Sequence, residues 1–349
     1  MLIMAIETSC DETACAVVED GVKEIATAIA TSAELHQKTG GIVPEVAARK
    51  QVEYITPVIE LCMKKAADHL RIDTENVKNH IDALAVTVGP GLIGSLLVGV
   101  EAAKTLALAW SKPLIPVNHL VGHIYANFLL QEGIKPPVLP AVALVVSGGH
   151  TDIILLKDHG RLEHLGGTID DAAGESFDKV ARLLNTGSYL GGPALAKNAD
   201  LYTGPNLPEK LPRALLHETT YNFSFSGLKT AVKRLVDKNM YEHSAIAKEF
   251  QEAVIEVLVN KTLKAVQATG VTTLLLGGGV SANNKLRTNI VEKARAEIPE
   301  LKISLPPLRL CSDNAIYIAS AGYFNQEYML LRTQDLHKIN PNPALAITD

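Results

Sequence analysis

A chain of 349 residues, 47% of them hydrophobic, can bury a large core and has the length of two domains. Its net charge of -5, with both signs interspersed, excludes a protein that grips nucleic acid through a global positive field; such a partner would meet local basic patches or another subunit. Cys10, Cys15, Cys62 and Cys311 form no CxxC pair, and no signal peptide or Arg-rich transit segment precedes the first apolar run, so a reduced, cytoplasmic setting is expected.

The chain opens with "LIMAIETSCDETACAVVEDG": an apolar strand, a polar turn and a second strand ending at Asp20-Gly21, which is a hairpin. A helical pattern follows near residues 44 to 70, then the strand "IDALAVTVGPGLIG" leading into a helix. That helix carries the longest apolar run, "LIGSLLVGVEAAKTLALAW"; Glu101 and Lys104 break it, so it reads as a buried helix and not as a membrane span. A short strand "PLIPVN" comes next, then a helix beginning "HLVGH" that "QEGIKPPVLP" closes at Gly133 as a lobe boundary should. The segment "VALVVSGGHTDIILLKDHG" then repeats the opening plan of strand, small polar turn and strand, so the chain looks duplicated. Beyond it we expect a helix near 171 to 185, a loop-rich region from 186 to 227, an amphipathic helix from 244 to 268, and the strand "TTLLLGGGVSANNKLR" opening into a helix capped by Ser281 or Asn283. The tail begins with the helical pattern of "CSDNAIYIASAGYF" and ends irregularly. Strands alternating with helices in each half predict α/β lobes with mixed sheets. The expected division is 1–137 joined by 311–349, and 138–310.

Three turns carry chemistry. Ser147-Gly148-Gly149-His150-Thr151 exposes backbone N–H groups without bulky side chains, a concavity that suits phosphate, although an ordinary glycine turn has the same composition. The first hairpin turn instead carries Thr8, Ser9, Asp11, Glu12 and Thr13. In "LLLGGGVSANNKLR" a ligand can approach the backbone at a helix N-terminus; the pattern is not GxGxxG, so a dinucleotide fold is not supported. The two hairpins and this glycine turn, in that order, resemble the actin, Hsp70 and sugar-kinase type of fold (ASKHA, RNase H-like), in which duplicated lobes close over an adenylate.

His119 and His123 stand four apart, so on a helix their imidazoles share one face and can bind one ion. Two ligands are not a site, and one ring packing in the core while the other caps or faces solvent remains the plain alternative. Asn118 as N-cap would put His119 at the helix mouth. A zinc-protease HExxH is not formed, because Leu120 stands where the glutamate is needed.

Ten segments then occur in one order: "IETSCDETACAVVEDG", "GGIVPEVAAR", "GPGLIGSLLVG", "HLVGH", "VALVVSGGHT", "DDAAGESFDKVARLL", "GGP", "NFSFSGLKTA", "GGGVSANNKLR" and "CSDNA". Together they resemble the TsaD family, the tRNA N6-adenosine threonylcarbamoyltransferases, from residue 3 to about 325. The resemblance implies transfer of a threonylcarbamoyl group from threonylcarbamoyl-AMP to the N6 amine of the adenosine beside the anticodon, in tRNAs reading codons that begin with A. It implies a divalent metal, Fe2+ or else Zn2+, held by His119, His123 and Asp313, with Asp313 following an "RLC" strand end. Adenylate contacts would fall on Val145, Val146, Ser147, Gly148, Gly149, Asp178, Gly192 and Asn283. The ion would polarise the carbamoyl oxygen or orient the threonyl carboxylate, in one cleft with the adenylate, and Asp11 or Glu12 would accept the amine proton. The implied partners are tRNA, a TsaB-like paralogous subunit and a TsaE-like P-loop ATPase, with no membrane. Lys179, Arg182, Lys229, Lys233 and Arg234 are candidate phosphate contacts, though scattered basic residues usually form solvated faces. Two departures stand out: Val145 occupies the place of a tyrosine found in archaeal and eukaryotic relatives, and Gln51 that of a histidine in many bacterial ones. An actin-like ATPase or phosphotransferase would leave the histidines unexplained, a metalloprotease would leave the hairpins so, and a non-catalytic scaffold in a tRNA-modifying assembly is the third rival.

Overall fold

The computed structural model describes residues 1–130, 135–187 and 190–348, and the helix end expected at Gly133 lies outside them. In chain order the elements are β1 (Leu2–Glu7), β2 (Glu12–Glu19), β3 (Lys23–Thr31), α1 (Ala33–Thr39), α2 (Pro44–Leu70), α3 (Thr74–His80), β4 (Ala83–Gly89), α4 (Ile93–Trp110), β5 (Leu114–Asn118) and α5 (His119–Tyr125). There follow β6 (Ala141–Val146), β7 (Thr151–Asp158), β8 (Arg161–Gly167), α6 (Ala173–Leu183), α7 (Gly191–Leu201), α8 (Ser226–Lys238), α9 (His243–Thr269), β9 (Thr273–Gly277), α10 (Asn284–Glu297), β10 (Lys302–Ser304) and α11 (Ala315–Met329). The chain divides into two compact units: Met1–Pro137 with His159–Arg161 and Pro306–Asp349, and Val138–Asp158 with Leu162–Leu305.

In the first unit one sheet runs β3-β2-β1-β4-β5, with β1 antiparallel to β2 and parallel to β4. The apolar run of β1 is continuous because both faces of the sheet are covered. Met4 and Ile6 join a core with Cys62 of α2 and Val100 of α4, while on the alternate parity Ala85 meets α11, where a Cβ on Gly322 would stand 3.1 Å from the Ala85 Cβ. In the second unit the sheet runs β10-β9-β6-β7-β8, the same order built from the second hairpin. The duplication read from the two hairpins is thus a repeated strand order, with β6 antiparallel to β7 and parallel to β9.

The region from 186 to 227 is loop-rich as expected and also holds α7, started by Leu190 in the left-handed region and by Gly191, whose Cβ would meet the Ala181 Cβ at 2.5 Å. Three other expectations are corrected. The helix expected as amphipathic, α9, is buried along most of its 27 residues, including the polar Glu249, Gln251, Lys261 and Thr262, because α6, α7, α8 and α10 all pack on it. "RLC" is a 3-10 turn (Leu308–Leu310) and not a strand end. Finally, α4, long and apolar enough to cross a membrane by length and composition, is only 33% buried. It seats Leu96, Val100, Ala103 and Ala107 in the unit and leaves Ile93, Leu97 and Leu108 outward.

Candidate functional site

Within the first unit, two helix starts aim three side chains at one point. β5 ends in Asn118, whose Oδ1 accepts the N–H groups of Leu120 (2.9 Å) and Val121 (3.4 Å), so α5 begins at His119 and carries His123 one turn on. The start of α11 is capped the same way: Asn314 Oδ1 accepts from Ile316 (3.0 Å) and Tyr317 (3.3 Å), which fixes Asp313 just ahead of the helix. Asp313 Oδ1 lies 3.5 Å from His119 Nε2 and 3.4 Å from His123 Nε2, and one ligand atom from each residue falls within 4.8 Å of the others. Gly122 permits this approach, since a Cβ there would meet the Tyr317 ring at 2.6 Å. Tyr317 hydroxyl donates to Asp313 Oδ1 (3.4 Å), and its ring lies 4.8 Å from that of His123.

Behind His119 sits a fully buried carboxylate. Glu7, the last residue of β1, places Oε2 3.0 Å from His119 Nδ1 and accepts from Thr87 Oγ1 at 2.5 Å, while Oε1 accepts the backbone N–H of Ser9. A carboxylate can only accept, so His119 carries its proton on Nδ1 and turns Nε2 toward Asp313. Neither nitrogen of buried His123 has a hydrogen-bond partner. A buried imidazole in that condition loses its hydration without recompense unless an electron-poor partner takes its lone pair. Two imidazole nitrogens and a carboxylate oxygen at this spacing suit a divalent transition metal.

The electrostatics follow from burial and charge. Burial pulls His119 down, but Asp313 and Glu7 together outweigh it and hold the ring up at about 9. Burial, with adjoining His119, takes His123 below its ordinary value despite Asp313. Asp313 is held well below the usual carboxylate range, since both histidines overcome the opposing effect of burial. Burial first, then the charges of Asp313 and Asp11, push Glu12 up to about 10. A testable consequence concerns the ion-free chain. A histidine whose folded value, about 9, lies above its ordinary 6.5 contributes stability fully present below pH 6.5 and lost as pH rises through 9. Urea unfolding of chelated protein should therefore show a loss of up to about 3 kcal/mol between those limits, absent in His119→Gln. Equal pH slopes in the two proteins would refute the coupling.

Within the second unit, two segments close on the turn between β6 and β7. Ser147 N–H donates to His150 O (2.8 Å), His150 N–H donates to Ser147 Oγ (3.2 Å), and Gly174 N–H donates to Ser147 O (3.2 Å), so the start of α6 is drawn onto the turn. Gly148 and Gly149 have open space where a side chain would stand. Gly278, at φ +87°, lies so close to the end of β6 that a Cβ would meet Val146 O at 2.4 Å. Asp178 of α6 accepts the Gly192 N–H through Oδ1 (2.8 Å), and burial raises its carboxyl above the ordinary value. Asn283 caps α10, its Oδ1 accepting from Leu286 (3.0 Å) and its Nδ2 donating to Gln251 Oε1 (2.9 Å).

The sequence model of one family, tRNA N6-adenosine threonylcarbamoyltransferase (TsaD), matches residues 23–320. The chain belongs to the TsaD family. Among its relatives, a tRNA N6-adenosine threonylcarbamoyltransferase of Symbiobacterium thermophilum is 49% identical over 93% of this chain and 91% of that protein. The Bacillus subtilis protein of the same name is 46% identical over 100% and 96%. Among solved structures, full-length HypF in its phosphate- and nucleotide-bound form aligns at TM-score 0.58 and 14% identity, over 96% of this chain and 55% of that one. Component A of the Acidaminococcus fermentans (R)-2-hydroxyglutaryl-CoA dehydratase aligns at 0.51 and 12%, over 97% and 99%. These two share the fold, which is the actin-like one expected from the repeated hairpins.

In this TsaD family member the structure brings His119, His123 and Asp313 together, with Asp11 and Glu12 on the turn that follows Glu7 in the same unit. In the other unit the turn after Val145 and Val146 meets Gly174 and Gly278, while Asp178 pairs with Gly192 and Asn283 starts α10. Three of these have restricted side chains. Val145 and Val146 are fully buried, so only their backbone can meet a ligand, and the Asn283 amide is engaged at both ends by its helix and by Gln251. Reading the sequence missed Glu7, Thr87 and Tyr317. Tyr317 stands four residues past Asp313, a helical spacing that flags it; Glu7 ends a buried strand, and nothing local tells such an acid from a solvated turn residue.

Proposed function

We propose that this TsaD family member carries out the family's acyl transfer from threonylcarbamoyl-AMP to the N6 amine of the anticodon-adjacent adenosine of tRNA, with an ion held by His119, His123 and Asp313. The observation that carries the reading is the convergence of those three side chains within 4.8 Å, with both nitrogens of His123 unbonded. Fe2+ fits two imidazoles and one carboxylate best, and Zn2+ is the second choice. When bound, the ion supplies a Lewis acid for the carbamoyl oxygen or the threonyl carboxylate.

The chain's own residues supply the rest. Glu7 fixes the tautomer of His119, and the Tyr317 hydroxyl holds Asp313. The adenine nitrogen attacks the carbamoyl carbon, the bond from that carbon to the phosphate oxygen breaks, AMP leaves with the electron pair, and Asp11 or Glu12 takes the amine proton. The Ser147–Gly149 turn offers backbone N–H groups to the phosphate, and Asp178 Oδ2 can accept from a ribose hydroxyl. In this reading the cysteines stay as thiols, which suits a reduced cytoplasm.

Mass spectrometry of tRNA nucleosides, after incubation with tRNA and threonylcarbamoyl-AMP, tests the activity. Modified adenosine supports it; phosphate release from ATP without modified adenosine would favour the phosphotransferase. Leu120, not glutamate, follows His119 on α5, so the general base of a metalloprotease HExxH is missing there.

We assign the TsaB-like subunit to the outward apolar side chains of α2 and α4. Gly94 lies against Ala48, so the two helices pack near their starts, and Ile93, Leu97 and Val52 are all exposed there. Leu97→Asp should weaken association with that subunit by about 10-fold or more, read by calorimetric titration, while leaving the melting temperature unchanged. Undiminished affinity would move the interface elsewhere. tRNA and the TsaE-like ATPase complete the proposed set of partners. Lys229 and Lys233, exposed four apart on α8, are the candidate tRNA contacts taken first, whereas Lys179 is already paired with Asp171 and Glu175.

A further inference from the structure

Gln51 is a side chain that no step above uses, although it is 1% exposed on α2. Its Nε2 donates to three backbone carbonyls of the first hairpin turn: Thr8 at 3.3 Å, Cys10 at 2.7 Å and Glu12 at 3.2 Å. The acceptors alternate along the chain, so the amide lies across the turn and ties its two ends and its middle to one helix. The carbonyls between them are held from elsewhere. Ser9 O accepts the Leu92 N–H at 2.8 Å, and Asp11 O accepts both the N–H (3.0 Å) and the hydroxyl (3.2 Å) of Ser32.

All five carbonyls from Thr8 to Glu12 therefore meet fixed donors. They need them, because the pairing of β1 with β2 ends at Glu7↔Ala14 and leaves the intervening segment without that ladder. Close packing adds to the restraint: a Cβ on Gly91 would meet Ser9 O at 2.5 Å, and one on Gly99 would meet Thr8 Oγ1 at 2.2 Å. Three of the five carbonyls depend on a single side chain. Within the turn lie Asp11 and, at its end, Glu12, whose carboxyl feels the charge of Asp313.

We propose that Gln51 is a positioning residue for the transfer reaction, clamping the turn from Thr8 to Glu12 that carries the Asp11 and Glu12 carboxyls. The proposal rests on the reading of that turn as the proton acceptor. A primary amide suits the task because it offers two N–H groups on one nitrogen to several carbonyls, whereas a neutral imidazole offers one.

Hydrogen–deuterium exchange and steady-state kinetics on the full chain, with Gln51→Leu and Gln51→His, test it. Gln51→Leu should raise exchange of the peptide covering residues 8–13 at least ~10-fold. It should lower kcat by about 100-fold with KM for the adenylate changed less than about threefold, the pattern of a misplaced reacting group. Gln51→His, which keeps one donor, should recover most of both, and it remains informative should the leucine variant fail to fold. Unchanged exchange in Gln51→Leu, or raised exchange with kcat intact, would overturn the proposal. Wild-type kcat in both Asp11→Asn and Glu12→Gln would sink the proton-acceptor reading and the catalytic half of this proposal with it. That outcome is told apart from the others because the Gln51→Leu turn would still loosen.

Discussion

His123→Ala is expected to lower the rate of threonylcarbamoyl transfer by at least about 1,000-fold, while affinity for the adenylate changes less than about threefold. The size of the effect follows from what His123 lacks. Its two nitrogens are buried without a hydrogen bond, and the charged group that Nε2 faces is Asp313, the partner ligand, at 3.4 Å. Burial, with His119 adjoining, keeps the ring neutral near pH 7, which is the form that ligates. Truncation removes one of three ligand atoms and leaves His119 and Asp313 as an ion pair, 3.5 Å apart. The separation between rate and affinity arises because the proposed adenylate contacts lie on the turns and helix starts of the other unit. Single-turnover mass spectrometry of tRNA nucleosides gives the rate, and elemental analysis gives bound metal. A variant that loses its metal and keeps its rate would remove the ion from the chemistry.

The second large effect concerns the proton. Asp11→Asn should lower kcat by about 100- to 10,000-fold, the range for a positioned base, with adenylate affinity nearly unchanged. Glu12→Gln should cost much less. Burial, Asp313 and Asp11 push Glu12 up to about 10, so in the ion-free chain it is protonated at neutral pH, and glutamine resembles that form. An ion beside Asp313 offsets the negative charge that raises Glu12, and this makes the comparison informative in the loaded enzyme. A larger loss in Glu12→Gln than in Asp11→Asn would reverse the assignment. Equal losses in rate and in adenylate affinity for Asp11→Asn would reject a base role for it altogether.

Much of this molecule was legible locally. The hairpin of β1 and β2, the long α2, the start of α5 at His119 and the cap of α10 at Asn283 all follow from alternation, helical spacing and a polar cap residue, and these act within a few positions of the chain. What misled was burial. The polar residues of α9 looked like a solvent face, and Glu249 is instead buried against Lys210 and Arg213, each brought by a segment about forty residues away. The apolar residues of α4 looked like core, and several face outward.

By itself, the order of residues determined the elements, the duplication and the two imidazoles on one helical face, because each depends on neighbours in the chain. Only the tertiary structure decided that Asp313 arrives at that face, that Glu7 stands behind His119, and that one glutamine holds the turn of Asp11 and Glu12. Those encounters join residues separated by between 41 and 190 or more positions, and side chains so far apart meet only when sheet order and helix packing have closed the chain upon itself.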